Sequence, residues 1–216
     1  MIILVLLSFT SYAYTIEYSS GWNLASLPQD GISLSDISGD AIYQMENDQW
    51  RLHEPEGFFQ NIESFGSNEA FWVHSETNFS IEITDLSDNT SIGLESGWNL
   101  VPYLHVTEKV LNEFLPLGKI SEIRTYKDGT WLTWSEDIPV NSLEKLEPGH
   151  AYWIFVKDPF SIDYTFDAEC TPGETRACAN TQGVCAIIED SCVLGFWQGC
   201  DYTNISEYTL SESDCD

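Results

Sequence analysis

Three features of the chain point to a mainly β protein: two tandem small β-barrel- or sandwich-like modules, each with one short helix, followed by a disulfide-rich irregular tail. The pentapeptide SGWNL occurs twice, at 20–24 and 96–100. Short apolar-aromatic runs bounded by Asp-Gly, Pro-Gly and Asp-Pro turns fill much of the chain. All six cysteines fall within the last 47 residues.

The repeated pentapeptide opens a longer correspondence. With Trp72 set against Trp153, an offset of 81, Ala70-Phe71-Trp72-Val73 meets Ala151-Tyr152-Trp153-Ile154. Phe79-Ser80-Ile81-Glu82-Ile83 meets Phe160-Ser161-Ile162-Asp163-Tyr164 in the same register, as do Trp50 and Trp131, Ile62 and Leu143, and Phe65 and Leu146. SGWNL itself pairs at an offset of 76, so the second copy carries about five extra residues before Ile123. Fixed-period self-similarity is the mark of a module built twice. The expected organisation is a signal peptide at 1–13, modules at 14–90 and 91–167, and a cysteine-rich tail at 168–216.

Each module reads mostly as strand, with about five strands expected. The run 22–27 alternates apolar with small or polar residues and stops at Pro28. Ile123 to Tyr126 and Thr130 to Trp134 flank Lys127-Asp128-Gly129, where Gly accepts the positive φ of a tight hairpin. Pro148-Gly149 is a second turn and leads into Tyr152 to Val156; Asp158-Pro159 leads into Ser161 to Phe166. The segment 107–115 places Val110, Leu111, Phe114 and Leu115 on one helical face, with Thr107 as N-cap. Ser33 to Ile37 is its shorter counterpart.

Composition excludes several classes. An apolar fraction of 43% with 13% aromatics argues against long disorder. Eight Lys and Arg stand against 35 Asp and Glu, a formal charge of −27. Such a surface repels phosphate backbones and excludes nucleic acid as a partner, while cations such as Ca²⁺ are compatible with it. The charge is uneven: residues 15–90 hold 14 acids and only Arg51.

The N-terminal run from Ile2 to Phe9, followed by Ser11-Tyr12-Ala13, fits a secretory h-region and cleavage site. It is too short to span a bilayer, and no Lys or Arg precedes it. Cys170, Cys178, Cys185, Cys192, Cys200 and Cys215 agree with export: an even, clustered set implies disulfides, in any of 15 pairings. No CxxC pair occurs and no His lies beyond His150, so a zinc site is not expected. Three sequons, at Asn78, Asn89 and Asn204, are candidates for N-glycosylation.

Candidate chemistry is sparse. Trp22/Trp98, Trp50/Trp131 and Trp72/Trp153 are matched pairs, expected as the large core residues of small β-modules. Trp134 has His53 as its counterpart, so the fold does not require an aromatic there; with Tyr126 and Tyr103 it forms the candidate ligand-contact set. His53, His74, His105 and His150 form no ligand-type spacing. Glu54 and Glu56 are a close pair in an acid-rich chain, and nothing resembles a Ser-His-Asp signature, a P-loop or a dinucleotide fingerprint. The expectation is a non-enzymatic protein with no catalytic residues and no resident cofactor or metal.

Two resemblances bear on this. The GWNL opening, the hairpin ending in Trp131, and the stretch LEPGHAYWI at 146–154 resemble a repeat of exported archaeal and bacterial surface proteins, in which a GWNL strand precedes a LEPGxGYWI strand. The resemblance spans 20–166 and is stronger in the second copy; in the first, Gly66-Ser67-Asn68-Glu69 replaces the Pro-Gly turn. It implies export and a β fold, and no agreed activity. The tail, from Cys170-Thr-Pro-Gly-Glu-Thr-Arg-Ala-Cys178 to Gly195-Phe196-Trp197-Gln198-Gly199-Cys200, resembles the cysteine-rich segment of large secreted proteins. There it precedes an acidic CDGxDNDCDG metal-binding repeat. Here the chain reaches Cys215-Asp216 where that motif would begin, which implies a segment of something longer, and metal binding does not carry over.

The leading functional expectation is a structural or adhesive segment of a cell-surface or secreted multidomain protein, not membrane-spanning once mature. Its partners would be other surface proteins or cell-envelope glycans. The alternatives are an extracellular glycan- or ligand-binding module using exposed aromatics, and calcium binding by the acidic surface.

Overall fold

The computed structural model describes residues 13–46, 49–54, 61–62, 64–87, 90–139, 141–164, 169–177 and 189–198. The expected signal peptide, apart from Ala13, lies outside the described residues, as do Cys178, Cys185, Cys200, Cys215, Asn89, Asn204 and Glu56. The chain divides into two compact units: Tyr14–Phe166, and a second that contains the C-terminal segment.

The first unit is mainly β and runs through one order of elements twice. Its first half contains β1 (Tyr14–Tyr18), β2 (Gly21–Ser26), β3 (Ile32–Ser33), a 3-10 turn at Leu34–Asp36, β4 (Ala41–Glu46), β5 (Gln49–His53), β6 (Ser64–Phe65), β7 (Ala70–Ser75) and β8 (Phe79–Ile83). Its second half contains β9 (Thr90–Leu94), β10 (Gly97–Pro102), β11 (Lys109–Val110), α1 (Leu111–Phe114), β12 (Ile120–Lys127), β13 (Thr130–Ser135), β14 (Lys145–Leu146), β15 (Ala151–Val156) and β16 (Phe160–Tyr164). Each half has a four-stranded antiparallel sheet, β2-β7-β4-β5 and β10-β15-β12-β13. Two-stranded ribbons accompany each: β1–β8 with β3–β6, and β9–β16 with β11–β14. Each half therefore has eight strands rather than five, the added ones (β1, β3, β6 and β9, β11, β14) all paired in ribbons, and the described strands do not close a barrel.

Local chemistry explains these elements. In both copies of SGWNL the glycine has positive φ, +92° at Gly21 and +105° at Gly97, a conformation that disfavours a side chain. The asparagine two residues on ties down the turn between the first two strands of its half. Asn23 Nδ2 donates to the carbonyls of Ser19 (2.7 Å) and Gly21 (3.2 Å), and Asn99 Nδ2 to those of Glu95 (2.7 Å) and Gly97 (3.0 Å). The β12–β13 hairpin turns on Asp128 (φ 51°) and Gly129 (φ 74°), as the Asp-Gly pair predicts.

The helix expected over 107–115 is a single turn, Leu111–Phe114. Lys109 and Val110 are instead claimed by β-pairing with Leu146 and Lys145, so Thr107 caps nothing; its carbonyl accepts the Tyr103 hydroxyl at 2.7 Å. The first-half counterpart is the 3-10 turn, whose Ser33 hydroxyl accepts the Ser35 amide at 3.3 Å.

One face of each sheet covers a core. In the first half Ile42, Phe71 and Val73 are buried, with Phe65 stacked on Phe71 at 4.2 Å. In the second, Val101, Ile120, Ile123, Tyr152, Ile154 and Tyr164 belong to one buried cluster. The opposite faces meet in part: Leu24, Ala70 and Ala151 are buried together, with Trp72, Leu100, Tyr126 and Trp153 packed against them. Backbone and side-chain bonds seal this joint. The Ser26 amide donates to Gly149 at 3.0 Å, and the Ser26 hydroxyl donates to the His150 carbonyl (2.7 Å) and accepts the Tyr103 amide (3.0 Å).

The described C-terminal segment is more regular than expected. Thr175–Ala177 (β17), Glu189–Val193 (β18) and Phe196–Trp197 (β19) form a three-stranded sheet. Leu194 and Gly195, both with positive φ, make the last hairpin. A disulfide joins Cys170 to Cys192. The fully buried Asp190 carboxylate meets Arg176 at 2.7 Å, and the Arg176 guanidinium lies 4.2 Å from the Trp197 ring centre.

Candidate ligand-binding cleft

Side chains directly opposite each other in an antiparallel sheet share a face. On the first-half sheet, register sets Trp22 opposite His74, Trp72 opposite both Leu24 and Tyr43, and Trp50 opposite Met45. Trp22, Tyr43, Trp50 and Trp72 therefore stand on one face, the face turned away from the half's own core. On the second half, Tyr126 and Trp131 are register partners across β12 and β13. These six rings line an open cleft of about 580 Å³ between the halves.

The rings hold one another in place. Trp22 is 5.5 Å from Tyr43 and meets Trp72 edge-on at 6.4 Å. Trp72 bridges the halves, 5.6 Å from Tyr126 and 5.8 Å from Trp131, while Tyr126 and Trp131 are 5.3 Å apart. Contacts of this kind contribute about 0.5–1.5 kcal/mol each beyond their buried area. His74 lies beside Trp22, its ring tilted at a centroid distance of 5.0 Å and its Nδ1 3.4 Å from Asp40 Oδ2. The cleft offers flat π faces, a few indole N–H and phenol groups, and no carboxylate, Lys, Arg or His among the described residues that line it.

This arrangement corrects the core assignment of the matched tryptophans. Trp22, Trp50, Trp98 and Trp131 retain 40%, 51%, 46% and 47% of their surface, and Trp72 and Trp153 are only partly buried. The cores are filled by aliphatic, Phe and Tyr side chains on the other face of the strands, so the indoles fall on the second face. In the second half the matching face differs in content. Arg124 stands where the first half has Tyr43, and its guanidinium is 5.4 Å from the Trp98 ring centre. Phe155 meets Trp98 edge-on at 5.2 Å.

The expected contact set separates. Tyr126 lies in the cleft. Tyr103 does not: it is fully buried among Phe114, Tyr152 and Tyr164, and burial pushes its phenol pKa upward. Trp134 packs against the second-half core as register partner of Ile123 and lines a separate depression with Leu111, Leu117 and Asn141. Sequence reasoning missed Trp22, Tyr43, Trp50, Trp72 and Trp131. One available hint was that Trp50 sits between Gln49 and Arg51, which suits a wet strand edge.

A polar cluster adjoins the joint at His150. Lys127 pairs with Glu147, and Lys145 with Glu108 and Glu147. Burial alone would raise the Glu147 carboxyl, but the Lys127 hydrogen bond and charge bring it below the usual range. His150, nine-tenths buried beside it, is held down to about 4 by burial and then by Lys127. Its Nδ1 has no hydrogen-bond partner among the described residues. No group of three or more His, Cys, Asp or Glu among the described residues is gathered for a metal ion. Asn78 is exposed, its side chain accepting the Ser20 amide at 2.9 Å.

No described helix is long and apolar enough to cross a membrane. Comparison with protein-family models, with curated proteins and with solved structures returned no match.

Proposed function

We propose that the chain is an exported ligand-binding module, a duplicated β-scaffold that presents the aromatic cleft to ligands outside the cell. The observation that carries this reading is the exposure of four matched tryptophans on sheet faces that each half does not need for its own core. A large exposed apolar patch rimmed by polar residues is costly in a monomer and marks an interaction site. The structural or adhesive reading rested on the shared aromatics being core; with the indoles on the surface, binding accounts for them better. Export is supported by the Cys170–Cys192 disulfide, since such bonds persist in oxidising compartments, and by the apolar N-terminal run.

Retention on a panel of immobilised glycans and small organic ligands tests the reading, with Trp50→Ala and Trp131→Ala alongside the wild type. Both indoles are about half exposed. Trp50→Ala is expected to keep its melting temperature within a few degrees, Trp131→Ala to lose more because it gives up ring contacts with Trp72 and Tyr126, and both to lose retention. Wild-type retention by both variants, or no retained ligand at all, overturns the proposal.

A further inference from the structure

Resting on the reading of the cleft as a binding site, we propose that the group it takes is a quaternary ammonium cation. The two halves supply the comparison. Tyr43 on β4 and Arg124 on β12 are equivalent, each being the register partner of the matched tryptophan on the neighbouring strand, Trp72 on β7 or Trp153 on β15. In the second half the Arg124 guanidinium sits 5.4 Å from the Trp98 ring centre, so that indole already has a cation. In the first half the same position supplies another π face, Tyr43, 5.5 Å from Trp22, and leaves open space in front of both. Arg176 over Trp197, at 4.2 Å, is a second instance of this chain pairing a cation with an indole.

Charge points the same way. The first half holds 14 acids against Arg51, within a chain of net charge −27, which attracts cations and repels carboxylate or phosphate ligands. The absence of any carboxylate among the described residues that line the cleft then selects the kind of cation. A guanidinium or primary ammonium entering the cleft gives up hydrogen bonds to water that two neutral phenol oxygens replace only in part. A quaternary ammonium has no N–H to satisfy, and its polarised methyl groups fit against Trp and Tyr faces. A volume of about 580 Å³ accommodates such a head group together with the chain that carries it.

Calorimetric titration with choline and with its neutral isostere 3,3-dimethyl-1-butanol tests the inference, with an oligosaccharide panel run in parallel. Choline is expected to bind at least about tenfold more tightly than the isostere, the ratio a single well-placed cation–π contact supplies. Tyr43→Arg, which copies the second half's own cation into the cleft, is expected to abolish choline binding. Trp50→Ala is expected to weaken it without a change in melting temperature, and Trp98→Ala to leave it unchanged. Equal affinity for choline and the isostere overturns the cation inference and leaves an apolar binding cleft. Binding of an oligosaccharide alone, lost in Trp50→Ala, also overturns it while the binding-module reading stands. No binding of any ligand overturns both.

Discussion

The phenol of Tyr18 in the first half donates a 3.0 Å hydrogen bond to the carbonyl oxygen of Gly149, 131 residues further along the chain. The contact lies within a tight joint. Gly149 has φ +81°, and a Cβ placed on it would stand 2.3 Å from Ile16 Cγ2 and 3.2 Å from the Tyr18 hydroxyl. The Pro-Gly turn thus does more than reverse the chain: its missing side chain lets the two halves approach.

Gly149→Ala therefore combines backbone strain with overpacking and is expected to cost about 2–4 kcal/mol. Gly129→Ala has comparable strain, φ +74°, but nothing within 4 Å of the added methyl, and is expected to cost about 1–2 kcal/mol. Urea midpoints of the two variants measure the difference; equal losses would show that the joint yields.

Tyr18→Phe removes one donor, yet the Gly149 carbonyl keeps the Ser26 amide at 3.0 Å, so the expected cost is about 1 kcal/mol. Ser26→Ala is expected to cost more, about 1–3 kcal/mol, despite deleting a single oxygen. That oxygen both donates to the His150 carbonyl and accepts the buried Tyr103 amide, which loses this partner. Denaturant titration of the two variants gives the ranking.

Acid is expected to destabilise the first unit. Burial holds His105 and His150 down to about 4, against 6.5 for a free imidazole. Above pH 6.5 the folded and unfolded forms are both neutral at these groups, and no stability is lost. Between 6.5 and 4 the unfolded chain takes up protons that the fold refuses, so stability falls with pH, by about 3 kcal/mol per group at the limit. Glu147, with its pKa lowered, adds a loss of the same sign at lower pH; Lys127 and Asp128 are the other charges that bear on His150. His150→Gln is expected to flatten the dependence of the urea midpoint between pH 7 and 4.5. An unchanged slope would show that His150 becomes protonated in the fold.

The Cys170–Cys192 bond predicts a specific peptide pair in a non-reducing digest, linking 22 residues apart. No cysteine lies within Tyr14–Phe166, so reductant is expected to leave the melting of that unit unchanged while loosening the C-terminal sheet, by about 3 kcal/mol for a loop of this length.

Much of the first unit was legible. The matched letters around Trp72 and Trp153 gave equivalent strands, β7 and β15, and the Asp-Gly and Pro-Gly pairs gave turns in the expected places. The ribbon strands β3, β6, β11 and β14 were not legible, because two-residue strands carry no alternation to read. For the same reason the helix pattern at Lys109 and Val110 lost to pairing with the distant Leu146 and Lys145. Of the cleft, only Tyr126 was anticipated. Tyr103 and Tyr126 are both tyrosines near strand residues, and nothing local distinguishes the fully buried ring from the one in the cleft.

Sequence by itself determined the mainly β character and the tight turns, which depend on neighbours a few residues away, and the repeated pattern of letters; the parts played by the glycine and asparagine of SGWNL became visible only in the structure. Only the tertiary structure decided where the tryptophans point. Alternation along a strand divides residues between two faces but does not say which face meets a core, a second sheet or water. That depends on how the two halves approach at Gly149 and Ser26, a contact between residues more than 120 positions apart, and it is this approach that leaves Trp22, Trp50 and Trp131 around an open cleft.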